Sequence, residues 1–471
     1  MEVSKSAGMR EQAERMFELT ALRNWLRRRP LLRRLYQCLP SVYRERISKQ
    51  WARQMATAAQ FPELPSVPLQ YEALVGGNTK SPGVVEGGRR GANLFAYFRG
   101  EFGLAEAARS YARALISAGY PVALNDIDLD LPHGFGDVAL AAHLVDEAPY
   151  PINVVFINPD YLEAALAAIG HAKLAGRYVV ACWFWELERV PVEWLPAIAH
   201  VDEILVASEF VEQAFRAVTT KPVTCVPLPV AVGADSGIDR RAFGLEPDTF
   251  VFLTSFDFHS WVERKNPFAA IEAFRLAFPE QSTPVRLLVK TSNGAHYPEM
   301  LARLLELAQA DTRILVREGI LERPHLRSLQ RCCDAYVSLH RSEGFGLGLA
   351  ECMALGKPVI ATAWSGNCDF MSADNSCLVS YELIEVGRGE YLHGSGQRWA
   401  SPNIAEAASY MRRLFEDRAF ASAVGECAAV DIARKLSSAG IAAALIARFE
   451  QITATMPVCA LETAASNGEK R

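Results

Sequence analysis

The segment His340–Thr362 constrains the fold of this chain more than any other stretch. The pattern in and just before it predicts four consecutive pieces of structure: a strand ending at Asp334–Leu339, a glycine-rich turn at Glu343–Gly346, a short helix at Leu347–Leu355 and a new strand at Lys357–Thr362. A strand, a glycine turn and a helix in this order form a phosphate-binding crossover, because glycines leave backbone N–H groups accessible and the helix N-terminus carries partial positive charge. The segment therefore predicts an anion site.

Two carboxylates flank the predicted anion site. Glu343 lies in the glycine turn, and Glu351 lies about one and a half helical turns beyond it. Carboxylates in these places can accept hydrogen bonds from hydroxyls on both sides of a bound diphosphate, which is the chemistry of a sugar nucleotide. Glycine turns are frequent in doubly wound folds, and the helix dipole alone favours an early glutamate. The combination of both acids with Gly344, Gly346 and the closing Gly356–Pro358 favours the functional interpretation.

The length of 471 residues exceeds what one hydrophobic core usually supports, so two domains are expected. Strand and helix patterns alternate in both halves. The predicted strands include Asn93–Phe98, Gly119–Leu124, Ile152–Ile157, Tyr178–Phe184, Glu203–Ala207, Phe250–Phe256, Val285–Lys290 and Arg313–Arg317. The predicted helices include Leu104–Ala118, Tyr161–Ile169, Pro267–Ala277 and Tyr297–Gln309. This alternation predicts an α/β protein with two Rossmann-like, doubly wound parallel sheets that face a common cleft.

Positive charge is concentrated at the N-terminus. Residues 1–60 hold 13 Lys or Arg against 5 Glu, whereas the whole chain has a net charge of −5. Within residues 20–55, the stretch Leu22–Tyr36 interleaves Leu, Trp and Tyr with arginines, as do helices that lie on anionic membranes. The pattern predicts peripheral membrane contact, and a solvated basic helix that packs on the protein or a partner is the alternative. Nucleic acid is not expected as a partner, because no nucleic-acid-binding module accompanies the basic patch.

The first residues and the spacing of the cysteines predict a cytoplasmic location. The first residues, Met1–Ser6, lack the apolar core of a signal peptide, and no apolar run reaches the length of a membrane span. The ten cysteines show no paired C-x-x-C spacing, so neither a zinc site nor a disulfide framework is predicted. These observations fit a cytoplasmic protein with reduced thiols. Together with the basic segment, they predict association with the inner face of the membrane through residues 20–55.

Several motifs together resemble those of retaining GT-B glycosyltransferases of family 4, the type that acts in bacterial glycan and polysaccharide biosynthesis. The segment His340–Thr362 is similar to the donor-site signature of that family, and further similar segments are Val201–Phe210, Arg264–Pro267, Ile360–Phe370 and Trp399–Pro402. The resemblance spans residues 93 to about 450. It implies a GT-B fold with an N-terminal Rossmann-like acceptor domain at 93–235, a C-terminal Rossmann-like nucleotide-sugar donor domain at 236–435 and a helix crossing back to the first domain at 436–455. Outside these parts, the sequence predicts a basic helical extension and linker at 1–92 and a flexible tail at 456–471.

The resemblance also implies roles for residues of the second half. Glu343 would face the transferred sugar, Glu351 would hold the ribose hydroxyls, and sugar and phosphate would meet the backbone of Gly344, Phe345, Gly346 and Leu347. Lys265 would supply the positive charge that a metal supplies in other transferases. The family commonly places an arginine six residues before that lysine, where this chain has His259. Arg264 and Lys290 are therefore the candidates for a second cation.

In the first half the resemblance implies a glycine loop, Gly100–Gly103, close to the acceptor and the diphosphate. Many members of the family have a histidine at the end of a strand in the first domain. The corresponding segment of this chain, Ala181–Glu188, contains no histidine. Trp185 or Glu186 is the candidate replacement, although the tryptophans of this stretch fit a core role equally well. The one stretch with D-x-D spacing, at Asp126–Asp130, lies far in sequence from the glycine turn and fits a solvated strand end. The resemblance implies neither a metal nor a cofactor, since basic side chains take the role of the metal.

The resemblance implies a retaining, metal-independent transfer of a hexose, such as mannose or glucose, from a nucleotide-diphosphate sugar to a glycan or lipid-linked acceptor of the cell surface. Glu343, Lys265 and Glu186 are the catalytic candidates. One alternative is a non-catalytic GT-B scaffold. Another is an NAD-dependent oxidoreductase, which Gly100-x-x-Gly103 imitates without the third glycine of the dinucleotide fingerprint. An epimerase or a phosphorylase of the same fold is a further alternative for which no distinguishing motif is present.

Overall fold

The computed structural model describes residues 90–456 except Pro132, together with residues 59–65 and scattered positions between 29 and 57. The predicted extension at 1–92, including the basic residues 20–55, lies mostly outside this range, and so does the predicted tail beyond residue 456.

The first domain is built on six parallel strands in the order β2-β1-β3-β4-β5-β6. These strands are β1 Ala92–Ala96, β2 Val122–Asp126, β3 Ile152–Val155, β4 Tyr178–Cys182, β5 Glu203–Val206 and β6 Val223–Cys225. The connecting helices are α1 Gly103–Ser117, α2 Pro159–Ile169, α3 His171–Leu174, α4 Leu195–Ile198 and α5 Glu209–Arg216. The strand order reverses between β1 and β3, which makes the carboxyl ends of these two strands the place where a doubly wound sheet binds ligands.

The second domain repeats the architecture with six parallel strands in the order β12-β11-β10-β7-β8-β9. Its strands are β7 Phe250–Asp257, β8 Val285–Ser292, β9 Ile314–Glu318, β10 Ala335–Ser338, β11 Val359–Thr362 and β12 Cys377–Val379. The helices within it are α6 Val262–Lys265, α7 Pro267–Ala277, α8 Pro298–Gln309, α9 Arg323–Cys332 and α10 Leu347–Ala354. Here the strand order reverses between β7 and β10, so the loops that follow these strands lie side by side.

An antiparallel hairpin and three helices complete the described chain. The hairpin pairs β13 Tyr381–Glu385 with β14 Arg398–Pro402, and the helices are α11 Ile404–Glu416, α12 Arg418–Lys435 and α13 Ser438–Thr455. Helix α13 packs on α1 of the first domain. Arg448 on α13 lies 2.6 Å from the buried carboxylate of Glu203, and the ring of Phe449 lies 5.9 Å from that of Tyr120. The chain thus returns to the first domain after completing the second.

Residues 59–65 lie along the edge of the second sheet. The backbone oxygen of Ala59 accepts a hydrogen bond of 2.9 Å from the N–H of Glu318 at the end of β9, and Ala59 itself is fully buried. The ring of Phe61 lies 6.3 Å from that of Phe243. This segment covers part of an edge strand whose backbone groups would otherwise face solvent.

The predicted α/β class with two Rossmann-like, doubly wound domains is confirmed. The cleft between the domains is formed by loops at the carboxyl ends of both sheets. Over residues 90–456 and the shorter described stretches, no helix combines the length and the apolar composition needed to cross a bilayer. The nine described cysteines form no disulfide.

Candidate active site

The strand order of the second sheet brings Lys265 and Glu343 together. Lys265 ends the short helix that follows β7, and Glu343 lies in the glycine turn that follows β10. Because β7 and β10 are neighbours, the two loops meet, and Lys265 Nζ donates to Glu343 Oε1 at 2.5 Å. The predicted sugar-facing acid and the predicted phosphate-facing cation are therefore adjacent.

Arg264 holds the same carboxylate from the other side. Its Nη1 donates to Glu343 Oε2 at 3.1 Å and to the backbone oxygen of Ser342 at 3.0 Å, and its Nε donates to that of Ser260 at 3.2 Å. Only 4% of Arg264 is exposed. Burial alone would raise the pKa of Glu343, but Lys265 and Arg264 outweigh burial and lower this pKa to about 2. Glu343 is thus a fixed, ionised acceptor of hydrogen bonds.

The glycine turn depends on two glycines for different reasons. Gly346 has a φ of +94° and caps α10 in the left-handed conformation, which a side chain disfavours. A Cβ on Gly344 would lie only 2.7 Å from the backbone oxygen of Trp185, so the first domain approaches the turn too closely for a larger residue. The backbone oxygen of Gly344 also accepts a 2.6 Å hydrogen bond from Ser208 Oγ. Both domains therefore shape the turn.

Phe345 can offer a ligand only its backbone. Its side chain is buried, and its ring lies 5.3 Å from that of Phe370. Leu347 is the first residue of α10 and packs against the same core. Phe345 and Leu347 can therefore contribute to anion binding only through their backbone N–H groups at the N-terminus of α10.

Glu351 lies further along α10, at the boundary with the first domain. Its Oε2 accepts a hydrogen bond of 3.1 Å from Gln330, and its Oε1 is bound by Arg323. The Nε of Arg323 lies 3.7 Å from the carboxylate of Glu106 on α1. Arg323 and Gln330 belong to α9, a helix that the sequence analysis did not predict. They connect the predicted ribose-binding acid to the first domain.

Glu186 follows β4 of the first domain and reaches the cluster around Glu343. Its Oε1 lies 3.8 Å from Arg264 Nη2, and its backbone oxygen accepts a hydrogen bond from Ser342 Oγ. Its Oε2 accepts a 2.6 Å hydrogen bond from the hydroxyl of Tyr391. Tyr391 lies in the loop between β13 and β14 and was missed in the sequence analysis, because a single tyrosine in an irregular loop has no motif around it.

Aromatic side chains surround Tyr391. Its ring lies 5.9 Å from Trp185, 5.7 Å from Trp261 and 6.2 Å from Trp399. Trp185 and Trp399 are buried and serve as core, whereas 36% of Trp261 is exposed. The backbone of Trp261 has a φ of +63°, which is strained for a tryptophan. The carboxylates of the site are therefore bordered by apolar ring faces.

The remaining predicted residues lie elsewhere on the cleft. Lys290 is half-buried on β8, where burial lowers its pKa against the opposing effect of Asp257 and Glu318. Gly100 follows β1, and its backbone oxygen accepts a 2.7 Å hydrogen bond from Arg109. Gly103 begins α1.

The first aspartate of the D-x-D stretch forms a salt bridge. The carboxylate of Asp126 pairs with Arg99 at 2.6 Å. No cluster of three or more His, Cys, Asp or Glu side chains suited to a metal ion occurs among the residues that the structure describes.

A cavity of about 610 Å³ opens at the domain boundary on the other side of the glycine turn. Residues of α5 and β6 line it from the first domain, and Phe345, Asp369 and Lys435 line it from the second. Neither Glu343 nor Glu351 borders this cavity. At Glu343 the two domains are in direct contact instead.

The site residues of the second domain fall within a recognisable family region. Residues 248–385 match the sequence profile described as glycosyl transferases group 1. This region holds Lys265, Glu343 and Glu351, and it spans every strand of the second sheet. A comparison of the full sequence with curated proteins gives no match.

Solved structures with the same architecture include two bacterial proteins. Sucrose-phosphate synthase from Thermosynechococcus elongatus is 16% identical, with a TM-score of 0.56 over 78% of this chain and 100% of that chain. Anabaena Alr3699/HepE in complex with UDP and glucose is 15% identical, with a TM-score of 0.50 over 76% of this chain and 99% of that chain. At these identities the likeness establishes the fold, and the predicted GT-B architecture is confirmed.

A weaker likeness extends to the pneumococcal O-GlcNAc transferase GtfA, at 15% identity and a TM-score of 0.45 over 65% of this chain. The present chain spans 57% of the length of that protein.

Proposed function

We propose that this protein is a retaining glycosyltransferase of the family 4 type, which transfers a hexose from a nucleotide-diphosphate sugar to a glycan or lipid-linked acceptor. The observation that carries the proposal is the contact between Lys265 and Glu343 at the topological switch point, beside the glycine-capped N-terminus of α10. The cation and the backbone amides at the helix N-terminus match the diphosphate of such a donor, and the ionised acid matches its sugar hydroxyls.

Transfer by this site requires positioning and charge rather than a covalent nucleophile. The bond between the sugar and the diphosphate breaks while the acceptor oxygen attacks the same carbon from the same face, and a donor phosphate oxygen takes the acceptor proton. Negative charge then grows on the leaving nucleoside diphosphate, where Lys265 and the amides of residues 344–347 stabilise it. Glu343 accepts hydrogen bonds from the sugar and keeps its orientation. We propose this chemistry as metal-independent, because Lys265 supplies charge beside the turn.

The acceptor is assigned to the first-domain side of the site. Glu186 reaches the cluster from that domain, and Tyr391 and Arg264 fix its carboxylate. A carboxylate held beside the exposed ring of Trp261 suits a sugar that hydrogen-bonds through its hydroxyls and stacks through its ring face. We assign Glu186 to binding of the acceptor sugar. The proposed setting is the cytoplasm, and contact of residues 20–55 with a membrane remains a prediction.

The first experiment identifies the donor. The Anabaena neighbour is described with UDP and glucose, so UDP-glucose heads a panel with GDP-mannose, ADP-glucose and dTDP-glucose. A true donor stabilises the native state, and it raises the melting temperature by an amount that increases with the ratio of its free concentration to its Kd. Failure of the entire panel to shift the melting temperature would overturn the proposal, and it would favour a scaffold without donor binding.

The second experiment tests the site with Glu343→Gln. We expect transfer from the identified donor to fall by roughly 100-fold or more, because the neutral amide leaves Lys265 and Arg264 without their counter-charge and holds the sugar less firmly. Glu272→Gln, at an exposed glutamate of α7, serves as the matched control. Circular dichroism checks that both variants are folded. Transfer near the wild-type rate by folded Glu343→Gln would refute the site assignment.

A further inference from the structure

Three histidines from both domains meet at the cleft. His259 follows β7 and His296 follows β8 in the second domain, whereas His133 lies in the loop after β2 in the first. The ring of His259 lies 4.9 Å from that of His133 and 5.3 Å from that of His296. We call these three residues the histidine cluster. It lies at the carboxyl ends of the strands, where ligands of doubly wound sheets bind.

The ring of His259 has one unused nitrogen. Its Nδ1 lies 3.1 Å from the hydroxyl of Tyr297, but its Nε2 is shielded from solvent and has no hydrogen-bond partner among the described residues. Asp257, the nearest carboxylate, accepts hydrogen bonds from the backbone N–H of His259 and from the side chains of Ser292 and Asn293. A buried nitrogen without a partner is costly, so Nε2 is suited to a ligand atom.

Arg264, one of the other candidates for a second cation, is already engaged. Arg264 donates to the carboxylate of Glu343 and to two backbone oxygens. Burial lowers the pKa of Lys290 on β8, and the nearby carboxylates of Asp257 and Glu318 act in the opposite direction. His259 stands six residues before Lys265, on the loop that carries this phosphate-facing lysine. With Arg264 bound to Glu343, His259 is the residue of this loop that is left to supply a second cation.

The histidines oppose one another's charge. Burial lowers the pKa of His133, and His259 and His296 lower it further. Burial also lowers the pKa of His259, and His296 lowers it further. Asp257 acts in the opposite direction on both rings. The hydroxyl of Tyr297 also faces His259, and the carboxylate of Glu101 lies against Gly134, next to His133 in the chain. Phe102 stacks on His133 with 4.4 Å between ring centres. Without an anion, the surroundings of His133 and His259 thus favour the neutral form of both rings. A bound anion would favour the charged form of each imidazole.

We propose that His133, His259 and His296 form a proton-linked anion site that binds the diphosphate of the nucleotide sugar, so that the donor binds together with a proton. This inference rests on the proposed function, because it takes its ligand from there. The proton comes from solvent and resides on an imidazole nitrogen of the cluster, and it returns to solvent when the nucleoside diphosphate leaves. The affinity for the donor then falls as the pH rises.

Isothermal titration of the wild-type protein with the donor identified in the panel tests the inference. Nucleotide sugars are suitable probes, because their diesterified phosphates do not titrate between about pH 6 and pH 8. Two buffers with different ionisation enthalpies report the number of protons taken up. We expect an uptake approaching one proton, which corresponds to a loss of affinity of up to about tenfold per pH unit.

His259→Arg gives the deciding comparison. A permanent charge at this position should reduce the proton uptake, flatten the pH dependence and strengthen donor binding at the high end of the pH range. His200→Arg, at an exposed histidine of the first domain, should behave as the wild type. Donor binding without proton uptake, or an unchanged pH profile in His259→Arg, would overturn the inference and leave the proposed function intact. If no nucleotide sugar of the panel binds, both proposals fail together.

Discussion

Glu343 shows how the charges of this site depend on one another. Its carboxylate is shielded from solvent and is bound by Lys265 and Arg264, so removal of either cation leaves a buried charge less well compensated. Glu186 and Tyr391 extend the same cluster into the first domain and the hairpin loop. Single substitutions here affect several neighbours, which is why each variant needs a control elsewhere in the protein.

The protonation of Asp369 should make the free energy of unfolding depend on pH. Its Oδ2 accepts a hydrogen bond of 2.7 Å from the backbone N–H of Glu209 in the other domain. Burial, with Glu209 nearby, raises the pKa of Asp369 from 3.8 to about 6. The native state therefore binds the proton more tightly than the unfolded state, and the free energy of unfolding falls as the pH rises between these two values.

Asp369→Asn should remove this loss of stability. We expect a melting temperature a few degrees higher than that of the wild type at pH 7, and no gain at about pH 4, where the wild-type carboxyl is already largely protonated. Differential scanning calorimetry at the two pH values measures the effect. Asp374→Asn, at an exposed aspartate nearby, serves as the control. An equal shift at both pH values would contradict the linkage to Asp369.

At the scale of single elements, the loop between β13 and β14 joins the domains. Gln397 donates to the backbone oxygen of Arg189 at 2.9 Å, and His393 lies 3.4 Å from Asp160, both partners being in the first domain. Tyr391 from this loop binds Glu186. The hairpin is thus a part of the second domain that positions a side chain of the first.

Tyr391→Phe should impair the acceptor side of the reaction. A hydrogen bond to a charged group contributes about 1.5–3 kcal/mol, so we expect kcat/KM for the acceptor to fall by roughly tenfold or more. KM for the acceptor should rise while KM for the nucleotide sugar stays near its wild-type value. Tyr161→Phe, at a half-exposed tyrosine of α2, is the control. Equal increases in both KM values would assign Tyr391 to the structure in general rather than to Glu186.

Secondary structure was predictable where apolar runs are long. The helix predicted at Pro267–Ala277 has those bounds in the structure, and the strand predicted at Asn93–Phe98 is shifted slightly, to Ala92–Ala96. Helix α9 was missed because its sequence, Arg323–Cys332, is strongly polar and holds few apolar residues. The hairpin was missed because no residue of β13 is fully buried, so this strand has no clear apolar pattern.

For the whole molecule, α13 determines how the end of the chain is held to the first domain. Arg448 donates to both carboxylate oxygens of Glu203. Glu203 is the first residue of β5 and is completely buried. A second pair on the same helix joins Glu450 to Arg90, but both of these side chains are more than half exposed. Burial makes the two pairs unequal, because water screens the exposed pair.

Arg448→Met should destabilise the protein by about 3 kcal/mol, since it leaves a buried carboxylate without its cation. Arg90→Met should cost less than about 1 kcal/mol. Chemical denaturation of both variants, followed by tryptophan fluorescence, gives the comparison. Comparable losses from the two substitutions would show that burial of Glu203 does not decide the strength of the contact.

The sequence by itself determined the class of fold and the nature of the candidate anion site, because alternating apolar runs, glycines at a turn and a helix start are local signals. Only the tertiary structure decided which distant residues meet. Strand order brings Lys265 to Glu343, the return of the chain places Arg448 on Glu203, and the closed cleft collects His133, His259 and His296. These contacts join residues far apart along the chain, and their formation depends on the packing of whole sheets and domains, which no short pattern records.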